Sequence, residues 1–174
     1  FILLPYILAP RVKNKSWIIL GLVVCFAYEM KYDKAYVEQS KLDCIPFENR
    51  YFEQYKSIYN QCFYDMRKAL EIEPYNFLSD CEQVSEKAGN IYLLVKDGEI
   101  VGSVACYGNE IDDLIVNKKF QRRGYGKQLL LWGMQQIRKE NDEPITLHVA
   151  EWNQSALGLY KNVGFEVVSS ERVR

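Results

Sequence analysis

The sequence predicts one α/β domain in which sheet strands lie between helices on both faces. Three patterns lead to this prediction. An Asp-Gly pair separates two apolar runs at 91–106, which is typical of a β-hairpin. An apolar strand, a glycine-containing loop and an amphipathic helix follow one another at 114–140, and a strand, a helix and a strand follow at 145–169. At 174 residues the chain is long enough for one core and short for two domains.

The composition excludes several classes of protein. The chain has 22 basic and 23 acidic residues and a formal net charge of −1, so we expect no nucleic-acid partner, and any anion site must be local. The five cysteines are widely spread without a Cys-x-x-Cys pair, and the one histidine, His148, lies in a predicted strand, where we expect a structural role. No metal site is predicted. We expect reduced cysteines and a cytoplasmic protein.

We divide the chain into an apolar extension, 1–41, and a domain, 42–174. The apolar run 17–28 is shorter than the roughly 20 residues that a membrane span needs, so no membrane partner is expected. Basic residues precede this run as in a signal peptide, but no clear small-residue cleavage site follows it. Alternation over 26–37 predicts a hairpin with one buried face, packed on the same domain or on a partner subunit. A homodimer therefore stays open.

The next segment is predicted to hold a short strand at 42–47 and an amphipathic helix at 48–63. This helix carries an aromatic stripe, which we expect to belong to the core rather than to a substrate site. Ser79 and Glu82 have the spacing of a capping box, which predicts a short helix that ends near Gly89.

The second half of the chain follows as alternating strands and helices. Asn153 is an expected helix N-cap and Gly164 a helix stop. The predicted elements, in order, are strands at 91–95, 100–106 and 110–116, a helix at 124–140, a strand at 145–149, a helix from 153 to about 163, and a strand at 165–169.

The stretch Gln121-Arg122-Arg123-Gly124-Tyr125-Gly126 joins a predicted strand to a predicted helix. Glycines at the start of a helix let the backbone come close to a ligand, while the unpaired N–H groups and the positive end of the helix dipole point at the same place. The loop lacks the closing Gly-Lys-Ser or Gly-Lys-Thr of a Walker loop and is only half of a dinucleotide fingerprint. It predicts a site for a phosphate-bearing cofactor, the alternative being a surface turn with solvated basic residues.

This Gln-x-x-Gly-x-Gly loop, with Asn153, Ala156, Tyr160 and Gly164-Phe165 downstream, resembles the two cofactor-proximal motifs of the GNAT superfamily of acetyl-CoA-dependent N-acetyltransferases. The resemblance covers roughly 42–168. It implies a mixed, mostly antiparallel sheet in which two strands are splayed apart where the cofactor enters. It also implies an enzyme that transfers an acetyl group from acetyl-CoA to a primary amine, on a small molecule or a peptide, by direct attack in a ternary complex.

The resemblance assigns roles to individual residues. The pyrophosphate is expected over the backbone amides of 122–127, and the pantetheine arm along the backbone of the preceding strand, where the Val116 N–H polarises the thioester carbonyl. The implied cofactor-binding residues are Ile115, Val116, Gln121, Arg122, Arg123, Gly124, Tyr125, Gly126, Lys127 and Asn153.

Two catalytic residues are expected. Tyr160 is the general acid that protonates the departing thiolate, and Glu110 is the general base, directly or through water, with Asp112 and Asp113 as the next candidates. The plainer alternatives are that Asn153 is only an N-cap, that Tyr160 belongs to a core stripe, and that these acids form a solvated strand entrance. The sequence also leaves open a non-catalytic acyl-CoA-binding regulatory module and a membrane-associated protein that uses the apolar segment.

Overall fold

The computed structural model describes residues 26–172, and in that part of the chain no helix has both the length and the apolarity to cross a membrane. A seven-stranded sheet runs through it in the order β2-β3-β4-β5-β6-β1-β7. Every neighbouring pair is antiparallel except β5 and β6, which are parallel. The strands are β1 Phe26–Tyr32, β2 Ile45–Pro46, β3 Ile91–Lys96, β4 Glu99–Tyr107, β5 Glu110–Val116, β6 Ile145–Ala150 and β7 Glu166–Arg172.

Helices cover both faces of the sheet, which confirms the predicted fold class. They are α1 Phe52–Ala69, α2 Glu82–Ser85, α3 Tyr125–Glu140 and α4 Gln154–Val163. Ile100 and Val101 are consecutive in β4, so their side chains point to opposite faces of the sheet. Both are 0% exposed, because both faces are covered. Ile100 belongs to the apolar cluster that contains the buried side chains of α1 and α2, and Val101 to the cluster that contains those of α3 and α4.

The N-terminal strand has other partners than the sequence predicts. Residues 26–32 form β1, but 35–37 are not a strand, so the predicted hairpin is wrong in its second arm. β1 instead pairs with β6 on one side and with β7 on the other, and Met30 is 0% exposed. A strand inside the sheet belongs to the core, whereas the sequence analysis treated it as an addition. Residues 1–25 lie outside the described part of the chain, so the division at residue 41 stays a prediction.

The capping of α2 differs from the prediction by one residue. The Asp80 carboxylate, rather than the Ser79 hydroxyl, accepts hydrogen bonds from the N–H groups of Glu82 and Gln83, at 3.1 and 3.3 Å. The Gln83 side chain returns the interaction by accepting from the N–H of Ser79 at 2.7 Å. The reciprocal motif is therefore Asp80 with Gln83, because a carboxylate accepts more strongly than a hydroxyl at a helix start.

Candidate active site

Strands β5 and β6 diverge soon after they start. They are paired only at Glu110 with Thr146 and at Ile111 with Leu147. A cleft of about 420 Å³ opens beyond these pairs, walled by β5, the glycine loop and the starts of α3 and α4, with α1 as a further wall. We call it the glycine-loop cleft. The splayed strands that the resemblance implies are therefore present, and they leave one edge of β5 without a neighbouring strand.

The start of α3 presents free backbone N–H groups to this cleft. Gly124 has a φ of +83° and Arg122 a φ of +61°, a left-handed path that turns the chain into the helix. The first N–H that finds an acceptor within the helix is that of Gln128, which donates to the Gly124 carbonyl at 3.2 Å. The three before it, at residues 125–127, receive no side-chain cap, and the first turn holds no acidic residue. This arrangement suits an anion such as a pyrophosphate.

Gly126 and Gly133 lie on the same helix but are glycine for different reasons. A Cβ atom on Gly133 would lie 2.9 Å from Ile111 Cδ1, so glycine there lets the helix approach the sheet. A Cβ on Gly126 would have ordinary contacts, 3.5 Å to Leu159 Cδ2 and 3.8 Å to Val116 Cγ2. Packing within the protein therefore does not require glycine at 126, which lines the cleft. The open space at this position fits a group that comes close to the backbone.

The free edge of β5 presents backbone groups to the cleft. The Asn117 N–H donates to the Val101 carbonyl of β4 at 2.9 Å, and the backbone groups of successive residues point to alternate sides of a strand. The N–H of Val116 therefore points away from β4, as does its carbonyl, which accepts from Gln121 Nε2 at 3.0 Å. By the same alternation Ile115 faces β4, and Leu114 shares the open edge with Val116. Leu114 is an edge residue that the sequence analysis missed.

The predicted cofactor-binding residues converge on this cleft. All of them line it except Arg123, whose guanidinium lies 5.7 Å from the ring centre of Phe120. Lys127 Nζ lies 2.8 Å from Glu38 Oε2. Tyr125 Oη accepts a hydrogen bond from Lys96 Nζ at 2.9 Å. The loop therefore carries three basic side chains, Arg122, Arg123 and Lys127, of which Lys127 is paired with Glu38.

Asn153 and Tyr160 both line the cleft from the α4 side. Asn153 is the N-cap of α4, since its Oδ1 accepts from the Ala156 N–H at 3.1 Å. Tyr160 is 7% exposed and packs against Phe165, with ring centres 6.1 Å apart. Burial, and then the negative charge of Asp112, raise the pKa of Tyr160, so its hydroxyl keeps its proton at neutral pH. A neutral tyrosine at this place can donate that proton.

Glu110 lies at the other end of β5, outside the residues that line the cleft. Its Oε1 is 2.9 Å from His148 Nδ1. The pKa of Glu110 is lowered: burial acts to raise it, and the hydrogen bond with His148 acts to lower it. His148 therefore contacts the predicted general base, and its structural role stays a prediction.

A bulge in β5 brings a different acid into a second cavity. Asp113 has a φ of +44°, and the pairing with β4 shifts register next to it, between Ser103 and Ala105. Asp113 is 8% exposed, and the Tyr59 hydroxyl donates to its Oδ1 at 3.3 Å. Burial, and then the charge of Asp112, raise the pKa of Asp113 to about 8.

This second cavity has a volume of about 340 Å³ and lies beneath α1 and α2. Asp113 lines it together with three tyrosines, Tyr55 and Tyr59 of α1 and Tyr107 of β4, after which we call it the tyrosine cavity. The tyrosine cavity adjoins the glycine-loop cleft. The ring of Tyr59 contacts that of Phe63, which belongs to the cleft wall, with ring centres 4.7 Å apart.

Several side chains of the cleft were missed by sequence reasoning. The missed residues of α1 recur at helical spacing, which is also the spacing of an ordinary core stripe. Those around α4 fall between the motif positions. Together, the missed residues are Cys62, Phe63, Met66, Trp152, Ser155 and Leu159.

Comparison with known proteins agrees with this geometry. The family described as acetyltransferase (GNAT) matches residues 52–165. An acetyltransferase of the GNAT family from Colwellia psychrerythraea has a TM-score of 0.65 at 9% identity, over 84% of this chain and 53% of that one. A GCN5-related N-acetyltransferase from Sphaerobacter thermophilus has a TM-score of 0.57 at 19% identity, over 87% and 52%.

The ribosomal-protein-S18-alanine N-acetyltransferase of Escherichia coli has a TM-score of 0.56 at 18% identity, over 73% of this chain and 79% of that one. The chain spans about half the length of the Colwellia and Sphaerobacter proteins. At these identities the solved structures show a shared fold, and the acceptor named for the Escherichia coli protein belongs to that protein.

Proposed function

This chain belongs to the acetyltransferase (GNAT) family, and from that membership we propose that it transfers the acetyl group of acetyl-CoA to a primary amine. The observation that carries this proposal is the glycine-loop cleft. The uncapped N-terminus of α3, the free edge of β5 and Tyr160 all line this cleft.

The parts of the cleft match the parts of acetyl-CoA. The N–H groups at residues 125–127 would hold the pyrophosphate, with Arg122 and Lys127 adding charge beside them. The amides of the pantetheine arm would pair with Leu114 and Val116, since an extended ligand adds to an open strand edge as another strand would. The Val116 N–H then points at the thioester carbonyl as an oxyanion donor.

The reaction needs a base and an acid. Bound acetyl-CoA supplies an activated acetyl group as a thioester. An alkylammonium gives up a proton to a base, and the neutral amine attacks the acetyl carbon directly. A C–N bond forms, the attacking nitrogen loses its second proton to the medium, and the C–S bond breaks. Tyr160 donates its proton to the departing sulfur and regains one from the medium. Two acids of β5 are candidates for the base: Glu110, as the sequence predicts, and Asp113, which lies in the tyrosine cavity beside the cleft.

The test is transfer itself. The purified chain is incubated with acetyl-CoA and a panel of amines that includes small monoamines, a polyamine, a lysine peptide and a peptide with a free N-terminus. Free thiol is followed by absorbance and the product by mass spectrometry. We expect amine-dependent thiol release and an acetylated amine. Acetyl-CoA binding without transfer to any amine would instead indicate a non-catalytic acyl-CoA-binding module.

The cellular setting is part of the same proposal. The four cysteines of the described residues, Cys44, Cys62, Cys81 and Cys106, are free thiols. Free thiols persist where the medium is reducing, so we place the reaction in the cytoplasm.

A further inference from the structure

We propose that the tyrosine cavity is the acceptor pocket, and that it takes a small primary ammonium compound whose charged end meets Asp113. The inference rests on the proposed function and adds to it the class of acceptor and the group that receives it.

The chemistry of the walls suits an organic cation. Tyr55, Tyr59 and Tyr107 line the cavity around the Asp113 carboxyl. Aromatic faces attract an ammonium group through their negative quadrupole, and a carboxylate attracts it through its charge. The remaining walls include Phe77 and aliphatic side chains, which would receive an apolar body. A neutral or anionic ligand would use only part of this lining.

An unsatisfied polar atom in the wall points to a ligand. The hydroxyl of Tyr107 is buried and finds no hydrogen-bond partner among the described residues. A buried polar group without a partner destabilises a fold, so such groups are rare unless a ligand or water completes them. A phenol oxygen accepts a hydrogen bond, and an ammonium group has three N–H donors to offer. An ammonium bound at Asp113, which already accepts from Tyr59, would also give the Tyr107 hydroxyl a donor.

The position of the cavity fits an acceptor. Asp113 lines the tyrosine cavity and the next residue, Leu114, lines the glycine-loop cleft. On α1 the same boundary falls between Tyr59 and Phe63, whose rings are in contact. The two cavities therefore adjoin at the strand and at the helix, and an amine held at Asp113 would lie beside the cleft. Asp113 can receive the ammonium proton, and the freed electron pair forms the new C–N bond.

The size and the charge of the cavity narrow the class of acceptor that it can bind. Its volume of about 340 Å³ lies at the small end of ligand pockets, which range from roughly 300 to 1,000 Å³. Two carboxylates, Glu82 and Glu86, and one ammonium, Lys87, also line it. With Asp113, acids outnumber bases, which favours a cation. A small monoamine with an apolar body satisfies these conditions.

Binding of an ammonium compound should be coupled to the release of a proton. The titratable groups that face Asp113 are Asp112 of β5, Tyr59 and Tyr55 of α1, Lys87 after α2 and Tyr107 of β4. With a pKa of about 8, the Asp113 carboxyl is mostly protonated at neutral pH in the free protein. An ammonium favours the carboxylate, since an opposite charge lowers the pKa of an acid. Each ammonium bound at neutral pH should therefore release up to about one proton.

The experiment is calorimetric titration of the full chain with phenethylamine and butylamine, and with 2-phenylethanol as the neutral counterpart, in buffers of different ionisation enthalpy. We expect phenethylamine to bind at least about tenfold more tightly than the alcohol, with proton release for the amines only. Asp113→Asn should lose both the preference for amine over alcohol and the release of a proton on amine binding. Tyr107→Phe, which keeps the ring, should weaken amine binding severalfold. Tyr64→Phe is the control, because Tyr64 lies on α1 outside the cavity and packs against Tyr75.

Equal binding of amine and alcohol, or unchanged amine binding and proton release in both Asp113→Asn and Tyr107→Phe, would overturn the inference. Acetyl-CoA is titrated separately. If the transfer assay yields an acetylated amine and amine binding does not depend on Asp113 or Tyr107, the proposed function stands and this pocket assignment fails. If the amines bind as described and acetyl-CoA does not, the cation pocket stands and the proposed function fails.

Discussion

Asp113 and Leu114 are neighbours in β5, yet Asp113 lines the tyrosine cavity and Leu114 lines the glycine-loop cleft. Successive side chains of a strand alternate between faces, and the positive φ of Asp113 with the register shift in the β4 pairing inverts that alternation here. Without the bulge, Asp113 would share a face with Ile111, which packs against α3. The bulge therefore brings an acid and an open strand edge together at the boundary between two sites.

Tyr160→Phe should lower turnover and leave acetyl-CoA affinity nearly unchanged, because the ring keeps its packing and only the proton donor is lost. A positioned general acid contributes about 10²–10⁴-fold, and we expect a loss of kcat in that range. Steady-state kinetics with calorimetry checks both quantities. The matched control is Tyr32→Phe, since Tyr32 is also buried and packs on Phe165, at 5.4 Å between ring centres. A kcat within about twofold of wild type for Tyr160→Phe would return Tyr160 to a packing role.

The stability of the fold should depend on the titration of Asp113. Its pKa is raised to about 8 in the folded protein, against about 3.9 for an unperturbed aspartate, so between these values the folded state binds more protons than the unfolded state. The free energy of unfolding should therefore fall as the pH rises from about 4 to about 8, and this contribution is lost above the folded pKa. Asp113→Asn cannot titrate and should show a flatter dependence. Urea denaturation at several pH values compares the two proteins, and parallel curves would contradict the prediction.

The two candidate bases can be separated by their pH profiles. Asp113→Asn should lose activity most at lower pH, where the acceptor amine is mostly protonated and needs a base. Glu110→Gln should keep the shape of the profile, because Glu110 is paired with His148 and lies outside both cavities. The measurement is kcat/KM against pH for each variant. The opposite pattern, with the low-pH loss in Glu110→Gln alone, would restore the base that the sequence predicts.

Met30→Ala should destabilise the fold by about 2–5 kcal/mol, the usual cost of removing a large buried side chain. Met30 is 0% exposed in β1, between β6 and β7. Lys31→Ala, at the next position of the strand, should change the free energy of unfolding by less than about 0.5 kcal/mol. Urea denaturation measures both variants. Equal stability of Met30→Ala and wild type would show that β1 is not part of the core.

Local signals predicted most of the fold. The Asp97-Gly98 turn is confirmed, and both residues have the positive φ that such a hairpin turn requires. The strand at 110–116 has the predicted bounds, and Gly164 ends α4 with a φ of +113°. These features depend on residues within a few positions of one another, which is the range over which sequence patterns report on structure.

The strand partners of β1 could not be predicted from local patterns. Alternation identified β1 as a strand, but its partners begin more than a hundred residues later, at 145 and 166. The prediction paired it with its own neighbour, because a turn and a second alternating run stood next to it. Nothing in a local pattern distinguishes these two pairings.

The candidate site likewise has parts that local sequence patterns predict and parts that they do not. The glycine loop and the cap of α4 follow from residue type and spacing. The tyrosine cavity does not, because an aromatic stripe on α1 has the same spacing whether it fills a core or lines a pocket. The bulge at Asp113 was also hidden, since a positive φ at a non-glycine residue is imposed by its surroundings. Asp113 therefore stood behind Glu110 among the predicted bases.

The most direct test of the glycine-loop cleft is calorimetric titration of acetyl-CoA into Gly126→Leu and Gly133→Ala beside the wild type. The side chain introduced by Gly126→Leu would start at ordinary contact distance and extend within the cleft, so the fold should persist while affinity falls by at least about tenfold. Gly133→Ala is the control on the same helix, at a position outside the cleft. Its added methyl would meet Ile111 Cδ1 at 2.9 Å. This overpacking costs about 1–3 kcal/mol, which the higher helix propensity of alanine offsets by about 1 kcal/mol, and the variant should still bind acetyl-CoA. Undiminished affinity in a folded Gly126→Leu protein would contradict the account.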